Sequence, residues 1–326
     1  MRNKCSKPGC PAPKGLCLEH ANPDYQKCEH WHGPKAEQVA KKEKPLKKKA
    51  QSLPWTGEPF QPTDIEMISQ RSVPLIIGMV GTAEAGKTSY LGMLYTLLFN
   101  GHRFEEWSFA GSFTLAAWET LAQYLKIKSN GRVEFPPPTP ANPDYYSLYH
   151  LALKRRGLFR DVLFADSSGE VFNRWSVDVQ DPNAENARWI YAKSSAFIFM
   201  VDCVALINRR GAAKTEIVQI AEQLAANLEG RPVAVVWSKA DEIGNVRETI
   251  KRALEEDLAQ VFKDSKVFEV SNFSKSDPDT LCHQNNKDVI EYLLEKLNEP
   301  KKIKLMLQVS DSHDAFLNYR GTYGGE

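Results

Sequence analysis

Apolar positions change their period in a regular order from residue 73 onward. The run VPLIIGMV (73–80) is apolar throughout, which marks a strand covered on both faces. A glycine-bearing loop follows, then a segment at 87–99 in which Leu91, Leu94 and Leu98 recur at helical spacing. A further strand-and-helix unit comes next, with Leu115, Trp118, Ala122 and Leu125 along one helix face. Trp107 and Trp118 are expected in the core. The stretch RVEFPPPTPANPD (132–144) cannot be helical because its prolines forbid it. Two adjacent strands are expected near 145–153 and 159–165, joined by the short turn KRRG (154–157). A strand at 196–202, a helix at 214–229 closed by Gly230 and a strand at 232–238 follow. A helix near 246–262, a strand at 266–271 and a helix near 287–297 end the series. Such alternation predicts an α/β domain whose sheet is mostly parallel, with one antiparallel strand near 145–153. No internal repeat is present.

Outside that series the composition shifts. Residues 1–32 are rich in Cys and His and hold little that could form a core. Residues 33–70 read as a linker: KAEQVAKKEKPLKKKA (35–50) carries seven Lys against two Glu, and LPWTGEPFQPTD is rich in Pro and Gly. The layered domain is expected over 71–300, with 301–326 as a tail. Hydrophobic content of 42% with 25% charge is that of a soluble globular protein. A net charge of +1 argues against a uniformly basic nucleic-acid binder. The lysine run lacks interleaved aromatic residues for stacking bases, so it reads as a solvated spacer, and nucleic acid as a partner stays unsupported. No apolar run approaches the ~20 residues of a membrane span. The opening stretch, MRNKCSKPGC, carries no apolar core of a secretory signal, so the cytoplasm is the expected location.

Of the six cysteines, Cys5, Cys10, Cys17 and Cys28 crowd the N-terminal end. Cys5, Cys10, Cys17 and His20, spaced x4, x6 and x2, would make a closed tetrahedral set for Zn²⁺, three thiolates and an imidazole. A segment with so little core would draw its folding energy from the metal. Cys28, His30 and His32 could replace one ligand or belong to a second site. Lone His102, His150, His283 and His313 are assigned no chemistry.

The loop after the first strand satisfies G-x4-G-K-[ST] in full: Gly81, Thr82, Ala83, Glu84, Ala85, Gly86, Lys87, Thr88, continued by Ser89. Its glycines let backbone N–H groups turn toward phosphate oxygens, and the following helix adds its positive end. Lys87 would reach the β and γ phosphates, and the Thr88 hydroxyl would take a Mg²⁺ position.

The base-reading residues are expected after the strand at 232–238, in Ser238-Lys239-Ala240-Asp241. A carboxylate at Asp241 can accept from guanine N1–H and from its exocyclic amine, a donor pair adenine lacks. The stem of Lys239 can lie over the base plane. Here the chain resembles a GTPase of the translation-factor-related (TRAFAC) class, whose motif reads [NT]-K-x-D, with Ser238 as a departure. DVLFADSSGEVF resembles the D-x-x-G motif of that class. By that resemblance Asp166 holds Mg²⁺ through water, the Gly169 N–H meets the γ-phosphate, and Ser271-Asn272 meets the guanine carbonyl. Within the class, the chain is similar to bacterial double-GTPase families of predicted conflict systems. The resemblance implies the P-loop NTPase three-layer fold.

The class also needs a threonine that sees Mg²⁺ and γ-phosphate. Thr139 lies upstream of Asp166 in a non-helical stretch and fits that role. Thr114 is the runner-up and reads as a helix N-cap. Glu170 stands where the Ras-like branch has Gln to orient water. It could act as a base, yet it brings negative charge near the γ-phosphate. Arg174 could serve as a cis arginine finger or stay solvated.

The expectation is a guanine-nucleotide switch that binds GTP with Mg²⁺ and hydrolyses it, GTP ordering 132–144 and 166–190. Two alternatives stay open: a GTP sensor or scaffold that does not hydrolyse, and an ATPase using the same loop. The expected partner is a regulatory or effector protein, including another component of such a GTPase system.

Overall fold

The computed structural model describes residues 5–12, 14–19, 24–32, 57–70, 72–126, 133–273 and 279–299. The chain divides into two compact units, Met1–Leu53 and Pro54–Glu326. In the first, Cys5, Cys10, Ala12, Cys28 and Trp31 are buried together, with Cys17 and Tyr25 half-buried against them. Cys5 pairs with Trp31 in an antiparallel bridge, and the Trp31 ring meets Tyr25 edge-on at 4.9 Å.

The second unit opens with a 3-10 turn (Pro62–Ile65) and a one-turn helix α1 (Glu66–Ser69). Composition marks this stretch as linker, but Phe60 and Ile68 are buried in the core, and Phe60 exchanges two backbone hydrogen bonds with Leu148. Ile65 and Met67 pack against the same core, so the stretch is docked by apolar side chains.

Seven strands then form one sheet. They are β1 (Leu75–Gly81), β2 (Ser108–Gly111), β3 (Ser147–Arg155), β4 (Leu158–Asp166), β5 (Ala196–Asp202), β6 (Val233–Ser238) and β7 (Lys266–Val270). Their order is β2-β3-β4-β1-β5-β6-β7. Only β3 runs against the rest, since it pairs antiparallel with both β2 and β4 and the other pairs are parallel. The expected mostly parallel sheet with one reversed strand is therefore present.

Helices cover both faces: α2 (Lys87–Phe99), α3 (Leu115–Tyr124) and α9 (Asn285–Asn298) on one side. On the other lie α4 (Gly169–Val177), α5 (Glu185–Lys193), α6 (Cys203–Arg209), α7 (Gly211–Ala225) and α8 (Glu248–Val261). The period of two sorts the side chains of β1. Ile76 and Val80 join the core under α4, α5 and α7, while Ile77 and Met79 join the core under α2, α3 and α9. Burial on both sides explains why the strand reads as an unbroken apolar run.

Besides α1, three helices escape the sequence reading. α4, α5 and α6 span nine, nine and seven residues, too few turns for a helical period to declare itself. The region 166–190, expected as a switch, is thus partly helical. Among the described residues no helix is long and apolar enough to cross a membrane. Trp107 and Trp118 are buried, as expected.

Candidate functional site

The parallel strands β1, β4, β5, β6 and β7 end on one edge, and each hands a polar segment to the loop beyond it. Ligands of doubly wound sheets collect at such an edge. A cavity of about 790 Å³ lies there, walled by the phosphate loop, residues 135–139, 167–170, Lys239, Asp241 and 271–273.

β1 delivers the phosphate loop and α2 continues it. Gly86 caps α2 in the left-handed region (φ 85°), a conformation glycine adopts without strain. Lys87 is 5% exposed, and its ammonium donates to the carbonyls of Gly81 (3.1 Å) and Thr82 (2.9 Å). Burial pulls its pKa down to about 8, against the opposing charges of Asp166 and Asp202. Ala83, Glu84, Ala85, Thr88 and Ser89 line the cavity; Gly81 and Thr82 do not.

Asp166, at the end of β4, is 2% exposed. Its Oδ2 accepts from the Thr88 hydroxyl at 2.7 Å, and the Thr139 hydroxyl lies 3.1 Å from that of Thr88. Asp166 Oδ1 is buried without a hydrogen-bond partner. Burial raises the pKa of Asp166, while Lys87 and the two threonines act the other way. Thr139 therefore reaches this cluster from the proline-rich segment that precedes β3. Thr114 does not reach it: its hydroxyl accepts from the backbone N–H of His150, and it caps α3 by position alone.

Gly169 follows, pressed onto the phosphate loop. A Cβ built there would stand 2.0 Å from Ala83 N and 2.1 Å from Thr82 C, so no larger residue fits without moving backbone. Glu170 lines the cavity with an exposed side chain, 3.9 Å from Arg174. Arg174 does not line the cavity, which favours its reading as a solvated residue.

β6 and β7 supply the remaining wall. Lys239 adopts a left-handed conformation (φ 54°), and its ammonium pairs with Asp202 at 2.7 Å. Asp202 ends β5 and caps α6 by accepting from Val204 N and Ala205 N. Asp241 accepts from the Ser271 hydroxyl at 3.2 Å. The Asn272 amide sits by Gly86, where a Cβ would meet its Nδ2 at 3.6 Å, and its Oδ1 is buried without a hydrogen-bond partner. Ser238 is turned away: its hydroxyl donates to the Val201 carbonyl, and it does not line the cavity.

Sequence reasoning misses Asp202 and the pair Phe135 and Phe273, whose rings meet edge-on at 5.7 Å on the cavity wall. Asp202 has a readable signal, an acid at the carboxyl end of a buried strand. The aromatic pair has none, because it joins segments far apart in the chain. His150, assigned no chemistry, is a buried structural hub 3.1 Å from Asp161.

Among the described residues no group of three or more His, Cys, Asp or Glu is arranged to hold a metal ion. The sulfurs of Cys10 and Cys17 are 4.0 Å apart, and that of Cys28 lies 3.6 Å from a Glu19 carboxylate oxygen. His20 lies outside the described residues, so the expected zinc set is left without support.

No curated protein matches the chain in sequence. Among solved structures, nucleolar GTP-binding protein 1 from Plasmodium falciparum is similar at 13% identity, with a TM-score of 0.39. The match covers 69% of this chain and 86% of that one. The family model for Double-GTPase 2 matches residues 75–298, a span that runs from β1 to the end of α9 and takes in every wall of the cavity. The chain belongs to the Double-GTPase 2 family, a P-loop GTPase built on a mostly parallel sheet.

Proposed function

We propose that the protein is a switch that binds GTP with Mg²⁺ and hydrolyses it slowly. One observation carries this reading: Lys87, Thr88, Thr139 and Asp241 all border one cavity, and Asp166 is hydrogen-bonded to Thr88 at its wall. Asp241 would accept from guanine N1–H and the exocyclic amine, with the Lys239 stem beside the base. Lys87 would turn from its carbonyl partners toward the phosphates.

The Thr88 and Thr139 hydroxyls and the orphaned Asp166 Oδ1 form an all-oxygen donor set, which suits Mg²⁺. When bound, Mg²⁺ would neutralise charge on the β and γ phosphates. Thr139 and Gly169 would report the γ-phosphate to the two loops that carry them, and Glu170 would face the attacking water. A second reading, a sensor that binds GTP but scarcely hydrolyses it, is favoured by Glu170, whose negative side chain is exposed at the cavity.

Titration with GTP and ATP, with and without Mg²⁺, tests nucleotide and metal together. Preference for GTP by at least tenfold is expected; equal binding would overturn the guanine reading. Single-turnover hydrolysis no faster than that of Lys87→Ala would decide for the sensor.

The zinc reading of the N-terminal unit rests on the Cys5-Cys10-Cys17-His20 spacing and on the shared burial of Cys5 and Cys10. Elemental analysis giving less than about half a zinc per chain would end it. Cytoplasmic residence, a conflict-system setting and an effector-protein partner are kept as part of the same proposal.

A further inference from the structure

The two loops that would sense the γ-phosphate meet a third element away from the nucleotide. Ser147 opens β3 opposite Asp166, which closes β4. The chain before β3 and the chain after β4 therefore leave the sheet side by side, and the β3–β4 ladder stops at that rung. Asn186, in the first turn of α5, fills the gap.

Its side chain is fully buried. Nδ2 lies 3.2 Å from the Asn142 carbonyl and 3.1 Å from the Tyr145 carbonyl, both on the segment that follows Thr139. The same nitrogen lies 3.1 Å from the hydroxyl of Ser167, the residue after Asp166. Oδ1 is turned back and accepts from Ala187 N at 2.9 Å. One turn further along α5, Trp189 meets the Tyr146 ring edge-on at 5.4 Å and holds the same segment by packing.

Three acceptors face a group with only two N–H bonds. Two can be served at once, so a contact to Ser167 is made at the expense of one of the carbonyls. A buried amide with such competing partners responds to small shifts in either loop, because an unmet polar group there is destabilising.

We propose that Asn186 is a positioning residue that couples the Thr139 loop to the Asp166 loop, so that the two close on the triphosphate together. The idea rests on the switch reading of the cavity. Asn186 touches neither phosphate nor metal and acts through Thr139 and Asp166. Its partner Asn142 lies on the same short stretch as Thr139, and its partner Ser167 directly follows Asp166.

Two measurements on the full chain test it. In the nucleotide-free protein, Ser167→Ala should lower amide hydrogen exchange at residues 142–146, on the opposite loop, by about fivefold, because the Asn186 amide is then left to the two carbonyls. A change confined to 166–170 would overturn the coupling, whether or not the protein binds guanine nucleotides. With nucleotide, Asn186→Ala should weaken binding of a non-hydrolysable GTP analogue with Mg²⁺ about tenfold and leave GDP within twofold. Ser167→Ala should move the same ratio about threefold. Equal losses for both nucleotides, or no loss, would mark Asn186 as purely structural and overturn the proposal. If Asn186→Ala fails to fold, the Ser167→Ala ratio decides. Should the wild type bind no guanine nucleotide, the switch reading falls, and the exchange result still stands for or against the coupling.

Discussion

On the phosphate side of the cavity Lys87 and Asp166 are 5% and 2% exposed; Lys87 is held by carbonyls of its own loop and Asp166 by Thr88 of another segment. On the base side Asp241 is exposed, and Lys239 is half-buried and tied at its tip to Asp202. The first set is placed by the fold: strand end, helix start and adjacent strand hold its backbone and bury its side chains. The second is fixed by a few contacts on a rim. On the proposed reading, phosphate binding is thus the robust property of this cavity, and base choice is the adjustable one.

The sharpest way to break the comparison is to remove the phosphate-side charge. Lys87→Ala should lower affinity for GTP and GDP alike by at least ~100-fold, the scale of losing charge-assisted bonds in a buried site. Equilibrium titration at neutral pH would read it. Next comes the base side. Asp241→Asn should cut guanine affinity by about 100-fold and raise affinity for xanthine nucleotides, because a site built to accept from N1–H then meets the wrong partner. Titrating with GDP and XDP checks this; parallel losses for both bases would place Asp241 outside base recognition.

A smaller effect follows from the burial of Lys87. Its pKa near 8 in the nucleotide-free protein means that the ammonium is present below that pH and lost above it. Phosphate needs the ammonium, so affinity should stay level up to about pH 8 and fall about tenfold by pH 9. The same fall for XDP in the Asp241→Asn protein would assign it to the phosphate side. The smallest change is expected at Ser238, where the hydroxyl serves the Val201 carbonyl and not the cavity. Ser238→Ala should alter GTP affinity by less than about twofold. A loss above fivefold would show that the serine acts on the base after all.

The same contrast explains what the residues disclose in advance. Strand and helix extents follow from apolar period wherever an element is long, so α2 is placed at both ends and β5 in full. The phosphate loop is legible because its chemistry is compressed into one short run of consecutive residues. Thr139 can be reached by elimination, since the helical pattern over 115–125 removes Thr114. By contrast, Asn186 gives no local sign of its role: its three acceptors come from two segments distant from it in the chain. Ser238 misleads for a similar reason, because its motif position speaks of the base while its hydroxyl is claimed by the neighbouring strand. Phe60 escapes because a few anchors in a turn-rich stretch make no period at all.

The reversed direction of β3 has a consequence for what this architecture can absorb. A strand running against its neighbours is entered from the edge where they exit, so the chain coming into Ser147 must arrive beside the nucleotide, whatever route precedes it. Additional sequence between α3 and β3 would lengthen a span whose far end stays pinned at the cavity. Growth at that point changes what hangs over the bound molecule without disturbing how the sheet is wound.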